Sequence, residues 1–170
     1  MQHAVIEGLP DYHTHTRLCK HAEGEPLDYF GRMRTVGVGQ MATTDHCPSP
    51  HAYDPAHRMT LSEFDTYKRW GIDLRNRYPE HVRFGVEADF YQGCIEFQKT
   101  FLAEQDFDVV LGSVHFQCYW SHDKAEQTLF DKPEREHVWT RYFHLVRLMA
   151  ESGLYDIACH LDLDTLPATL

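Results

Sequence analysis

Short apolar runs alternate with helical patterns along the length of this chain, and that alternation constrains its fold more than any other property. Runs suited to buried strands fall at residues 8–13, 38–44, 82–90, 108–115 and 155–160. Between them, Pro26 opens a first helix as a good first-turn residue, with Leu27, Phe30 and Met33 following before Gly37 stops it. A second helix starts near Ser62 and carries Phe64, Tyr67, Leu74 and Tyr78 on one face, and a third occupies about 94–104. The fourth, about 133–152, is the clearest: Val138, Trp139, Tyr142, Leu145, Val146 and Met149 recur at three-to-four spacing, and Gly153 ends it. Strand, helix and strand in repetition imply right-handed crossovers and a parallel sheet, open or curling into a barrel. With 170 residues and no internal repeat or linker, a single α/β domain over 1–170 with its own core is expected.

The charge balance narrows the partners. A formal net charge of −10 argues against a nucleic-acid backbone or an anionic membrane, both of which recruit positive surfaces. It leaves room for a small phosphate ester, because bound divalent cations reverse the field within a site. No apolar run approaches a membrane span, and the N-terminal residues lack a basic stretch followed by a long apolar one, so the expected location is the cytoplasm. Cys19, Cys47, Cys94, Cys118 and Cys159 are odd in number, widely spaced and without a C-x-x-C pair, as reduced thiols would be.

The unusual count is 13 histidines, dispersed rather than in a tract, so that position decides their meaning. In parallel α/β folds the functional residues sit at the C-terminal ends of strands. After the first run comes D-Y-H-T-H, where His13 and His15, two apart, leave the same face of an extended chain, and His21 follows six residues later. T-T-D-H ends at His46, G-V-E-A-D presents Glu87, G-S-V-H presents His115 and A-C-H-L-D presents His160. Each of the five strands therefore delivers a metal-type ligand where an active site belongs, and neutral imidazoles with a carboxylate converging from separate elements define a metal centre. His3, His51, His57, His81, His122, His137 and His144 lack that placement, and exposed or capping roles are expected of them.

These segments, in order, resemble the PHP family, named for polymerase and histidinol phosphatase domains. R-L-C-K-H-A-E-G, R-M-T-L-S-E-F from Arg58, and E-A-D-F followed by G-S-V-H-F are most similar to its histidinol-phosphate phosphatase branch. The resemblance implies a distorted (β/α)7 barrel of the TIM type, represented here by about five βα units, and two or three divalent ions (zinc, manganese or iron). His13, His15 and Glu87 would belong to one metal site, Glu87, His115 and His160 to a second, and His21 and His46 to a third. Glu87, with two oxygens, would bridge two ions, and Glu87 and His115 are the residues expected at the catalytic step. The family chemistry is attack of a metal-bridging hydroxide on phosphorus, giving L-histidinol and phosphate from L-histidinol phosphate, a step of histidine biosynthesis.

Family members of this branch run on further, and a later strand supplies a D-x-H pair to the first and third sites. No histidine follows His160 here, so an incomplete C-terminal side and weakened hydrolysis are expected, together with either association into a homo-oligomer or instability. Arg58 is the expected phosphate contact, with Arg17 and Lys20 as further candidates, because arginine offers a planar fork to phosphate oxygens. Phe116 and Trp120 could line an imidazole pocket. The alternatives are a PHP phosphoesterase or exonuclease acting on another substrate, an amidohydrolase, which begins with a similar H-x-H, and a metal-binding remnant without catalysis.

Overall fold

Each of the five apolar runs contributes a strand, and every strand is shorter than its run. The computed structural model describes residues 8–50, 54–91, 93–115 and 135–161, the side chains of 135–138 excepted. Among these, the order is β1 (Pro10–Asp11), a 3-10 turn at Arg17–Cys19, α1 (Pro26–Val36), β2 (Gln40–Thr43), α2 (Leu61–Arg77), β3 (Val82–Asp89), α3 (Ile95–Ala103), β4 (Val109–Ser113), α4 (Arg135–Glu151) and β5 (Ile157–Ala158). The strands follow the sequential order β1-β2-β3-β4-β5, and the pairings of β1 with β2, β2 with β3 and β4 with β5 are parallel. This is the α/β class expected from the alternation.

The helix starts have local causes. Glu25 and Asp28 form a capping box around the first turn of α1, with Pro26 at the first helical position and Gly37 at the C-cap. Thr60 and Glu63 do the same for α2: the Glu63 amide donates to Thr60 Oγ1 at 3.2 Å and the Thr60 amide to Glu63 Oε2 at 2.8 Å. Tyr78, expected on the face of α2, is its C-cap residue instead and stacks on Phe30, ring centroids 4.1 Å apart. Residues 133 and 134, expected to begin α4, lie outside the described residues.

Two compact units divide the chain, Met1–Glu87 with Asp106–Val109, and Ala88–Gln105 with Val110–Leu170. In the first, α1 and α2 bury Phe30, Met33 and Leu74 against Met41 of β2 and Val82 of β3. Gly71 brings α2 close to the sheet, since a Cβ there would lie 2.2 Å from the Phe84 ring. In the second, Phe90, Cys94, Val114, Tyr142 and Met149 form a core with Tyr155 packed against it. Tyr155 was expected within the last strand. It lies before β5, and its hydroxyl donates to Gln98 Oε1.

Candidate metal centre

The ends of β1, β2 and β3 bring three imidazoles onto one carboxylate oxygen. His13 Nε2, His15 Nε2 and His46 Nδ1 each stand 3.2 Å from Oε2 of Glu87, whose side chain is fully buried. The backbone has local reasons to deliver them there. Past Asp11 the ladder gives way to threonine side chains: Thr14 Oγ1 donates to the Ala42 carbonyl at 2.7 Å, and the Thr14 amide donates to Thr44 Oγ1 at 2.9 Å. That holds 13–15 extended beside β2, so His13 and His15 leave the same face. His46 and Glu87 form a parallel bridge beyond the regular ladder of β2 and β3, with the Glu87 amide donating to the Asp45 carbonyl at 3.0 Å and the Cys47 amide to the Glu87 carbonyl at 2.7 Å.

His21 joins this group, its ring centroid 5.5 Å from that of His15 and 5.2 Å from that of His46. The ligand atoms of His13, His15 and Glu87 lie within 4.8 Å of one another, and so do those of His15, His21 and His46. Asp45, quoted in T-T-D-H without a role, supports the group from behind. Its carboxylate is buried, accepts from the Thr16 hydroxyl and amide and from the His46 amide, and faces His15 Nδ1 at 3.5 Å. Burial opposes a charge on His15, but the Asp45 and Glu87 carboxylates outweigh it and push its pKa up to about 9 in the metal-free chain. The proton held there is the one a cation would displace.

The second unit carries the other two expected ligands. His115 Nδ1 donates to Asp89 Oδ1 at 2.8 Å, the Ser113 hydroxyl donates to the same oxygen at 3.1 Å, and Asp89 is buried. The proton is thereby fixed on Nδ1, which leaves Nε2 as the ligand nitrogen of the ring. His160 packs beside it, ring centroids 4.9 Å apart, in a left-handed backbone conformation (φ 25°), with its carbonyl accepting from the Tyr142 hydroxyl at 3.0 Å. Asp45, Asp89 and Ser113 were not singled out from sequence, although Asp45 and Asp89 stand inside the quoted motifs.

The donors fit a divalent cation. Ligands held at ~2.0–2.2 Å in a tetrahedron stand about 3.3–3.6 Å from one another, close to the 3.2 Å that separates each of three histidines from Glu87 Oε2. Imidazole and carboxylate together suit zinc, manganese or iron. Cys19 lies within reach of His15 and Asp45, but burial pushes its thiol pKa up and leaves it a poor ligand.

The remaining expected contacts are distributed differently. Arg58 is buried, its guanidinium donating to the Cys47 carbonyl at 3.1 Å and to Asp54 Oδ2 at 3.2 Å. Arg17 pairs with Glu25 at 3.0 Å and lies over the Trp70 ring, while Lys20 pairs with Glu63 at 2.6 Å. Phe116 and Trp120 fall outside the described residues. Among the histidines set aside from sequence, His81 Nδ1 bonds the Gly39 carbonyl at 2.9 Å and His144 is exposed on α4. His57 is exposed as expected, yet its ring packs edge-on against His21 with centroids 5.6 Å apart. Among the described residues Cys19, Cys47, Cys94 and Cys159 are free thiols, and no described helix is long and apolar enough to cross a membrane.

Parallel βα units that place histidines and a buried glutamate at strand ends define an α/β fold with candidate metal-binding clusters at one end of its strands. The chain belongs to the PHP family, whose domain it matches over residues 11–166. It is 36% identical over 161 residues to a Deinococcus radiodurans protein named "Probable histidinol-phosphatase", covering 93% of this chain and 62% of the relative. The crystal structure of histidinol phosphate phosphatase from Lactococcus lactis, in complex with zinc, L-histidinol and phosphate, superposes with a TM-score of 0.73 at 18% identity, over 92% of this chain and 59% of that one. The structure of hisK from Listeria monocytogenes gives 0.70 at 18% identity, over 85% and 62%. The TIM-like α/β fold is thus shared with these phosphatases, and the chain spans less than two thirds of the length of each relative.

Proposed function

We propose that this chain, as a single PHP domain over 1–170, is the metal-dependent part of a phosphomonoesterase that hydrolyses L-histidinol phosphate to L-histidinol and phosphate. One observation carries the proposal: three imidazole nitrogens, each 3.2 Å from one oxygen of a fully buried glutamate, form a donor set made for cations. Family membership, the name of the Deinococcus relative and the zinc, histidinol and phosphate held by the Lactococcus structure support the substrate.

In this proposal His13, His15 and Glu87 hold one ion, Glu87, His115 and His160 a second, and His21 and His46 contribute to a third. Two or three divalent ions, zinc first and manganese or iron as alternatives, supply Lewis acidity toward the phosphoryl oxygens and an activated water near neutral pH. The protein's own groups do the positioning. Glu87 offers a buried negative charge, Asp45 fixes the backbone of His46 and faces the outer nitrogen of His15, and Asp89 holds the proton of His115 on Nδ1. The small ester, rather than a nucleic acid, fits a chain with a net charge of −10.

The test is phosphate release from L-histidinol phosphate, p-nitrophenyl phosphate and single-stranded DNA, with zinc or manganese and with a chelator. Metal-dependent turnover with histidinol phosphate preferred is expected. Nucleotide release from DNA without hydrolysis of either monoester would favour the exonuclease alternative and overturn the proposal.

A further inference from the structure

Two side chains on the loop that follows His46, Asp54 and Arg58, are arranged behind one exposed imidazole, that of His57. His57 Nδ1 lies 2.8 Å from Asp54 Oδ1, and the other oxygen of Asp54 accepts from Arg58 Nη2 at 3.2 Å. Arg58 is 3% exposed and its guanidinium is further held by the Cys47 carbonyl, so Asp54 is clamped from the protein side. Asp54 itself adopts a left-handed backbone conformation (φ 44°), an uncommon one for a residue with a side chain. The ion pair of Asp54 with Arg58 would staple this loop by itself. The His57 side chain, 57% exposed, adds little burial to it.

What the arrangement fixes is where that ring points. His57 packs edge-on against His21, which packs against the buried His46. His46, His21 and His57 therefore run from the floor of the histidine cluster out to solvent. A phosphate ester whose phosphoryl group sat at the donor cluster would carry its organic portion toward solvent, the side on which His57 stands. With Nδ1 held by Asp54, Nε2 is the ring nitrogen that His57 keeps for a further hydrogen bond, as an acceptor in the neutral ring.

We infer that His57 is a substrate-contacting residue that recognises the organic, hydrogen-bond-donating portion of the phosphate ester, with Asp54 and Arg58 as its positioning residues. The inference rests on the phosphomonoesterase proposal for the identity of the ester. It assigns Arg58 to the support of the loop, in place of the direct phosphate contact expected from sequence. Selectivity for an ester whose leaving group carries N–H donors, such as an amino alcohol, follows from an acceptor fixed at the rim, because a leaving group without donors leaves that acceptor unmatched.

The test uses His57→Ala, His57→Gln and Asp54→Asn in the zinc-loaded chain. Two ratios are read: kcat/KM for L-histidinol phosphate over that for p-nitrophenyl phosphate, and the calorimetric Kd of L-histidinol against that of inorganic phosphate. His57→Ala is expected to lower the first ratio and to weaken histidinol relative to phosphate, each about tenfold, as loss of one specific hydrogen bond does. His57→Gln, which keeps an acceptor, recovers part of both, and Asp54→Asn shifts both in the direction of His57→Ala. Equal losses on both substrates and both ligands would make His57 merely structural and overturn the inference, as would unchanged ratios or a parent chain that binds no histidinol. Failure of the parent to release phosphate while the histidinol difference persists would overturn the phosphatase proposal and leave the recognition role standing.

Discussion

A methyl group on Gly85 has nowhere to go. Its Cβ would lie 2.2 Å from the Val109 carbonyl oxygen and 2.7 Å from Val109 Cγ1, roughly an ångström inside the ~3.5 Å at which such contacts become favourable. A backbone carbonyl cannot rotate aside, so β3 has to shift. The Gly85 carbonyl accepts a 2.6 Å hydrogen bond from the buried Tyr67, whose oxygen also accepts the Asp45 amide at 3.1 Å, and a shift stretches both. Overpacking of this kind costs about 1–3 kcal/mol, and leaving a buried polar group poorly matched costs about 1–3 kcal/mol more. The midpoint of the sum, about 4 kcal/mol, corresponds to a drop of about 8–16 °C in Tm for a chain of this size. Thermal melts followed by circular dichroism with chelator present exclude metal loss as the cause. Gly31→Ala is the control, because nothing lies within 4 Å of a Cβ there and it sits exposed on α1; it gains about 0.5–1 kcal/mol. A Gly85→Ala melt matching that of the parent would refute the packing argument for the strand carrying Glu87.

Stability of the metal-free chain depends on pH through His15. Its pKa is raised from 6.5 to about 9, so its contribution is complete below pH 6.5 and is lost as pH rises through 9. The urea midpoint of the chelated chain is expected to fall across that window and Asp45→Asn to flatten the fall; a parent midpoint constant from pH 6.5 to 9 would contradict it. Asp89→Asn removes the charged acceptor behind His115 Nδ1 and Ser113 and should weaken zinc about ten- to a hundredfold with little change in far-ultraviolet dichroism. Competition against a chromophoric chelator measures this, and unchanged affinity would sink the role given to Asp89.

The order of elements was legible in the sequence because apolar periodicity reports burial, and the clustering of His13, His15, His21, His46 and Glu87 was legible because strand ends are where such folds expose polar groups. Strand lengths were not. The run at 8–13 pairs regularly only at Pro10–Asp11, since Thr14 and Thr44 replace ladder bonds with side-chain ones, and the last run pairs only at Ile157–Ala158 before the chain turns at His160. Asp45 and Asp89 sat within quoted motifs, but a buried carboxylate behind a histidine is indistinguishable from a solvated one until its partners are placed. His57 carried no periodic signal, and its only local sign was Asp54 three residues earlier. Arg58 was expected to face phosphate because arginine commonly does; its bonds to the Cys47 carbonyl and to Asp54 carry no periodic or motif signal.

The most direct test of the metal centre is the zinc retained per chain by Glu87→Gln and by His144→Ala, measured by elemental analysis after dialysis against limiting zinc. Glu87 is fully buried with three histidine nitrogens 3.2 Å from one of its oxygens, whereas His144 is exposed on α4. Glu87→Gln is nearly isosteric and removes the charge that neutralises a cation, so it is expected to lose most of the bound zinc while His144→Ala keeps the parent's content. Equal retention by the two variants would contradict the account.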